Sequence, residues 1–279
     1  MAKIATALPE PWCEDAVRFA LRQLARRTGR RRPRVIALHT PSLLPPAPAE
    51  REMGAALIHI RALGAAQRTS PRSEFGELAE PTDQIPRPLE RWLSTRSRTP
   101  TALWAPSAWF QPRRTIALAR LGLSEVIVEG EDDGPAPLAV VLERLLHDAR
   151  AHRFLDVLPP SLPDDLRALI KELLSRGTKW PTTHELAARV HCDRSTLFRK
   201  FRRASLPPPR QLTTWIRLYL ALDRIEDGWS PPRAAAATGF STSSNLFAMA
   251  RSRLDLGSAE EFIDLGTEEL LRALSRKLK

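Results

Sequence analysis

Two rhythms of apolar residues divide the chain. Through the first 150 residues, short apolar runs alternate with stretches whose apolar positions recur at three- and four-residue steps. The runs at 35–38, 56–60, 101–105 and 125–129 have strand length and end in polar or proline residues. Between and around them, Ala16, Phe19, Ala20 and Leu24 put one apolar side on a helix over 12–27. A second helix is expected over 113–121, stopped by Gly122, and a third over 137–150 with Leu138, Val141, Leu142, Leu145 and Leu146 inward. Strands that alternate with helices predict a small parallel sheet flanked by helices. Proline-bearing polar segments at 41–48 and 67–88 predict a turn and a loop.

Beyond Pro159-Pro160 the strand-like runs stop and helical signals crowd together. Thr182 followed three residues later by Glu185 fits a capping box, and Leu186, Ala187 and Val190 give the helix that follows an apolar face. A break at His191-Cys192 leads to Asp193, a cap for a second helix through Leu197 and Phe201. The plan repeats: Ser230 before Pro231-Pro232 starts a short helix, Gly239 stops it, and Phe240-Ser241 lead into a helix through Asn245, Leu246, Phe247 and Met249. Between the pairs, Leu212, Trp215, Ile216, Tyr219, Leu222 and Ile225 predict one long amphipathic helix. Two short helices joined by a tight turn are the layout of a helix-turn-helix, whose second helix enters a DNA major groove.

The run LAARVHCDRSTLFRKF, then WIRLYLALDRI, then AAAATGFSTSSNLFAMARSRLDLG resembles the DNA-binding domain of the AraC/XylS family of transcriptional regulators. The anchors occur in order: Leu186-Ala187, Leu197 with Arg199 and Phe201, Arg217-Leu218 before Ala221, and Gly239-Phe240 before Leu246. The resemblance covers about 100 C-terminal residues and implies two reading helices, set by the linker helix, entering adjacent major-groove segments. Three positions depart from the family pattern: Leu206 stands where it usually has a glycine, Ala248 where arginine is frequent, and Ala250 where an aromatic is frequent. Base reading by the second helix is therefore expected to be the weaker of the two.

Charge sharpens this picture locally and not globally. Lys and Arg number 43 against 32 Asp and Glu, a net charge of +11 that favours a polyanionic partner. The excess is shared by both halves of the chain, so it does not locate the surface. Arg189, Arg194, Arg199, Lys200, Arg202 and Arg203 against Asp193 alone do. With Leu197 and Phe201 inward, Ser195, Thr196 and Arg199 point outward, where arginine can donate to guanine in bidentate fashion. The residues expected to contact DNA are Arg194, Ser195, Thr196, Arg199, Lys200 and Arg202 on the first reading helix, and Ser243, Ser244 and Asn245 on the second. Arg217 and Arg224 of the linker helix either anchor phosphate or pair with Asp223 and Asp227.

Other chemistry has little support. No Gly-rich phosphate loop, G-x-S-x-G elbow or H-E-x-x-H pair occurs. His184, His191 and Cys192 lack a fourth ligand for zinc, so no metal and no cofactor are expected. Cys192 beside His191 and arginines is either a redox-sensitive thiol or a small residue filling the turn. The two cysteines, Cys13 and Cys192, argue against a disulfide framework and for a reducing compartment. No apolar run approaches the ~20 residues of a membrane span, so a soluble, cytoplasmic protein is expected. The first domain resembles a receiver or flavodoxin-like fold in shape. The strand ends at Leu38-His39-Thr40 and Ile58-His59 carry no carboxylate for a magnesium site, and Glu129, Glu131, Asp132 and Asp133 are expected to cap the last helix.

The sequence thus predicts an α/β domain of unknown input over 1–155, an all-α tandem helix-turn-helix domain over 160–265, and a terminal amphipathic helix over 266–279. The function expected is sequence-specific regulation of transcription on double-stranded DNA, not catalysis. RNA polymerase and a second copy of the chain are further candidate partners, and no membrane is. The alternatives are an enzyme or small-molecule-binding α/β domain with an accessory DNA-binding region, and a non-specific nucleoid-type binder.

Overall fold

The computed structural model describes residues 3–8, 11–28, 34–37, 55–65, 85–95, 99–175 and 179–278. The expected turn at 41–48 and most of the expected loop at 67–88 lie outside them. The chain divides into two compact units, Met1–Ala149 and Arg150–Lys279. The Pro159-Pro160 turn therefore falls inside the second.

In the first unit five parallel strands, β1 (Lys3–Ala7), β2 (Arg34–Ala37), β3 (Ala55–His59), β4 (Thr101–Pro106) and β5 (Glu125–Glu129), form one sheet in the order β2-β1-β3-β4-β5. Four of these match the apolar runs. Strand β1 was not foreseen, yet it lies inside the sheet, with Ile4 opposite both Val35 and Ala55. The helices are α1 (Pro11–Thr28), α2 (Ile60–Ala65), α3 (Arg87–Thr95), α4 (Pro112–Arg120) and α5 (Pro135–Leu155). Strand residues alternate between two cores, as the two-residue side-chain period requires. Ala55, Leu57, Ala102, Trp104 and Ile127 pack with α1 and α5. Ala56, Ile58 and Leu103 pack with α2, α3 and α4. Burial on both faces is why these strands read as unbroken apolar runs. Asp132 and Asp133 do not cap α5: they accept from the amides of Val128 (3.1 Å) and Gly130 (2.9 Å) and hold the turn after β5.

The second unit is helical: the last turn of α5, then α6 (Asp164–Ser175), α7 (Thr183–Arg189), α8 (Arg194–Arg203), α9 (Pro209–Glu226), α10 (Pro231–Ala237), α11 (Ser243–Leu254) and α12 (Ala259–Lys277). Helix α6 was missed, although Leu166, Leu169, Ile170, Leu173 and Leu174 have helical spacing. The expected terminal helix starts after a break at Gly266 (φ 73°, ψ 159°), and a separate helical segment from Ala259 precedes it within α12. Helix α9 corrects the amphipathic expectation. Residues 212–216 and 218–223 are all buried, because α6, α8, α10 and α12 pack around it. It is the axis of the unit's core.

Helix α9 also carries buried carboxylates. Asp223 Oδ2 forms an ion pair with Arg150 Nε at 2.7 Å, Asp227 accepts from Arg150 Nη2 at 3.2 Å, and Arg153 lies 3.7 Å from Asp223. These cations come from the end of α5, while Arg217 lies against Phe240 and Arg224 against Trp229. Tyr219 donates its hydroxyl to the Arg150 carbonyl at 3.1 Å, and burial pushes its pKa up. Glu226 accepts from the amide of Thr267 (2.6 Å) and from its hydroxyl (3.1 Å), capping the helical segment that restarts after Gly266. Breaking a buried pair by removing one partner costs about 3–5 kcal/mol, since the other charge is stranded. Asp223→Ala is expected to destabilise the second unit by about that amount in urea unfolding. A loss under ~1 kcal/mol would mean that the arginines regain water.

Candidate nucleic-acid interface

Each helix pair is built from local closures. Thr182 opens α7 with the predicted capping box: Glu185 N donates to Thr182 Oγ1 at 3.3 Å and Thr182 N to Glu185 Oε2 at 2.6 Å. Helix α7 closes on His191, left-handed at φ 50°, with His191 N on the Ala188 carbonyl and Cys192 N on the Ala187 carbonyl. This double closure is the Schellman pattern, usually built on glycine. Asp193 then caps α8, accepting from the Thr196 amide (2.8 Å), the Ser195 hydroxyl (2.6 Å) and the Thr196 hydroxyl (2.8 Å). The Ser195 hydroxyl first, then the Thr196 amide and hydroxyl, hold the Asp193 carboxyl well below the usual carboxylate range. Helix α8 closes the same way on Ser205 at φ 52°, with Leu206 N on the Phe201 carbonyl at 2.9 Å. Leu206, flagged as a departure from glycine, is buried in the core and is not the left-handed residue.

The outer side of α8 presents Arg194, Ser195, Phe198, Arg199, Arg202 and Arg203, with Thr196 half-exposed and Leu197 and Phe201 buried. Arg199 donates to Thr196 Oγ1 at 2.8 Å, so Asp193, Thr196 and Arg199 form one chain of hydrogen bonds. Two basic residues are turned aside: Lys200 pairs with Asp165 and Arg189 with Glu172, both acids lying on α6. The hydrogen bond to Asp165 raises the pKa of Lys200. Lys200 thus sits at the edge of the face. Phe198 was overlooked, although it stands three residues beyond Ser195 and 38% of it is exposed.

The second pair is closed differently. Ser230 has N-cap geometry before α10 but its side chain makes no capping bond, a correction to its expected role. Gly239 at φ 75° is the left-handed residue, and Phe240 N reaches the Ala235 carbonyl at 2.9 Å. Arg217 is engaged at this turn. Its Nε donates to the Thr238 carbonyl at 3.0 Å, its Nη2 to the Gly239 carbonyl, and its guanidinium lies 4.0 Å from the Phe240 ring centroid. Trp180 Nε1 donates to the same Thr238 carbonyl at 2.8 Å. Arg224 and Arg233 both lie against Trp229.

Thr242 caps α11 by accepting from the Asn245 amide at 3.1 Å, and Asn245 Nδ2 donates to Ser241 Oγ at 3.0 Å. Ser244, Asn245, Ala248 and Arg251 are exposed, Ser243 is half-buried, and Leu246 and Ala250 face the core. Arg251, seven residues after Ser244, adds a cation to this face that sequence reasoning had not counted. The two second helices, α8 and α11, therefore share a design: a side-chain cap, a buried apolar stripe and a polar outer face, with more arginine on α8. No family model, curated protein or solved structure matches the chain.

A non-glycine residue in the left-handed region carries about 1 kcal/mol of strain. Ser205→Gly and His191→Gly are each expected to raise the Tm, by up to about 1 kcal/mol of stability after the entropic cost of glycine. An unchanged or lower Tm would refute it.

Asp193 gives a pH test. Its folded pKa is depressed, so its stabilisation is fully present above the unfolded value near 3.9 and is lost as pH falls through the folded value. The Asp193 carboxyl resonance should therefore titrate below ~3.9. Asp193→Asn, which keeps a capping side chain, should remove this part of the acid response. A midpoint at or above ~3.9 would contradict the capping geometry.

Proposed function

We propose that the chain is a sequence-specific DNA-binding regulator of transcription, reading two adjacent stretches of major groove with α8 and α11. The observation that carries this reading is the repeated plan around one buried helix: each pair joins a short helix to a capped second helix through a left-handed residue, and each second helix exposes a polar face. That plan supports two helix-turn-helix modules of the kind the AraC/XylS resemblance implies. The net charge of +11 and the exposed Arg194, Arg199, Arg202 and Arg203 suit a phosphate backbone. Double-stranded DNA is the partner, the cytoplasm the compartment, and RNA polymerase and a second copy of the chain are further candidates. The first unit is the input domain, and its strand order is that of flavodoxin-like sheets.

The roles divide by geometry. Arg199 reads a base, with guanine as its natural target. Arg194, Arg202 and Arg203 hold phosphates, and Lys200, engaged by Asp165, contributes little. Ser243, Ser244 and Asn245 read the second half-site more loosely, helped by Arg251. Selection of bound sequences from a random duplex library by the whole protein tests this, followed by affinities at several salt concentrations. Arg199→Ala is expected to cost about 1–3 kcal/mol on the selected site and to relax one position. Arg202→Ala should weaken all sequences alike, and Lys200→Ala should change little. Equal losses for Arg199→Ala on selected and random duplexes would point to a non-specific binder. Affinity that is flat with salt would overturn DNA binding altogether.

A further inference from the structure

We propose that Phe198 is a specificity-determining residue that recognises the 5-methyl group of a thymine; the proposal rests on the reading of α8 as a major-groove helix. Phe198 is one of the few large apolar side chains left exposed among the described residues, and no core requirement explains its place. Counted from Ser195, Phe198, Arg199 and Arg202 follow at three-, four- and seven-residue steps, so the four share one side of α8, and all are exposed. Arg194, one turn earlier, lies with its guanidinium carbon 5.7 Å from the ring centroid, so the ring is steadied by a cation against its face.

The surroundings select the occupant. A ring bordered by Arg194, Arg199 and Arg202 fits a polyanion and not an acid-free apolar protein surface. On a polyanionic duplex, the apolar feature available in the major groove is the thymine methyl, and contact between phenylalanine and that methyl is a known form of direct readout. The hydroxyls on this face are already engaged. The Ser195 and Thr196 hydroxyls both donate to Asp193, and Thr196 Oγ1 also accepts from Arg199. Reading by α8 therefore falls on one donor group, Arg199, and one apolar group, Phe198. A guanine and a thymine close together in the strongly constrained half of the site are the expected signature.

The test uses the whole protein and its selected duplex, with each thymine of that half-site replaced in turn by uracil. Uracil keeps every base-edge hydrogen bond and lacks only the methyl. For the wild type, uracil at one thymine should weaken binding about fourfold, the equivalent of one buried methyl group. For Phe198→Ala the same replacement should have no effect, because the contact is already gone. This coupling should stay constant with salt, since no counterion is released by an apolar contact. Phe198→Leu, which keeps an apolar side chain, should retain part of the methyl preference. The proposal is overturned if wild type and Phe198→Ala respond equally to every uracil replacement, or if no thymine methyl matters to the wild type. Either result, with selective binding intact, sinks the assignment of Phe198 and spares the functional reading. A wild type that binds no sequence selectively sinks both.

Discussion

Two carboxylates at the wrong end of a buried helix govern the second unit. Asp223 and Asp227 lie at the C-terminal end of α9, where the helix dipole is negative, and both are largely removed from water. Burial and dipole alike disfavour their charge, and only close cations can restore it. Arg150 bridges the two and Arg153 adds a third contact. Glu226, in the same last turn, is spent on the amide of Thr267, the donor exposed where α12 breaks at Gly266. Every acidic group at this helix end thus has a partner from elsewhere in the fold. Residues 150–155 belong with the second unit for that reason, and a division drawn at the prolines would strand the carboxylates.

Short helices impose a second constraint. Helices α7 and α10 have seven residues each, too few to be stable alone, and four carbonyls at the end of any helix lack partners within it. The left-handed residues His191 and Gly239 return two amides to each helix end. At α10, Arg217 and Trp180 also reach the Thr238 carbonyl, and Arg217 the Gly239 carbonyl. Arg217 is thereby a joint between α9 and the second pair. These bonds tie the turn leading into α11 to α9.

Local patterns made much of this legible. Apolar runs located four strands of the first unit, and cap-and-stop chemistry located both helix pairs, including Thr182, Asp193 and Gly239. Strand β1 was missed because KIATA is short and carries a lysine, so nothing in it resembles a buried run. Helix α3 was missed although Leu89, Trp92 and Leu93 have helical spacing, because it follows a proline-rich stretch. The pairings of Arg150 with Asp223 and of Lys200 with Asp165 were invisible in principle. They join residues far apart in sequence, and charge patterning within one helix says nothing of them. The amphipathic assignment of α9 failed for a related reason. Its polar-looking positions hold Thr213, Thr214 and Asp223, whose polarity is answered inside the fold, two of them by carbonyls one turn back.

On α8, the same answering of polar groups decides what its face can do. A hydroxyl already donating to Asp193 has spent its only proton, so Ser195 and Thr196 can offer a base or phosphate acceptor lone pairs alone. The Asp193 carboxylate would repel phosphate if bare, and the three hydrogen bonds it accepts disperse its charge while keeping it at the helix N-terminus, where the dipole favours it. Arg199 gives one N–H to Thr196 and keeps the remaining donors of its guanidinium fork, so the tether orients the group without exhausting it. The cap of α8 therefore does more than start a helix: through Thr196 it also orients the Arg199 guanidinium.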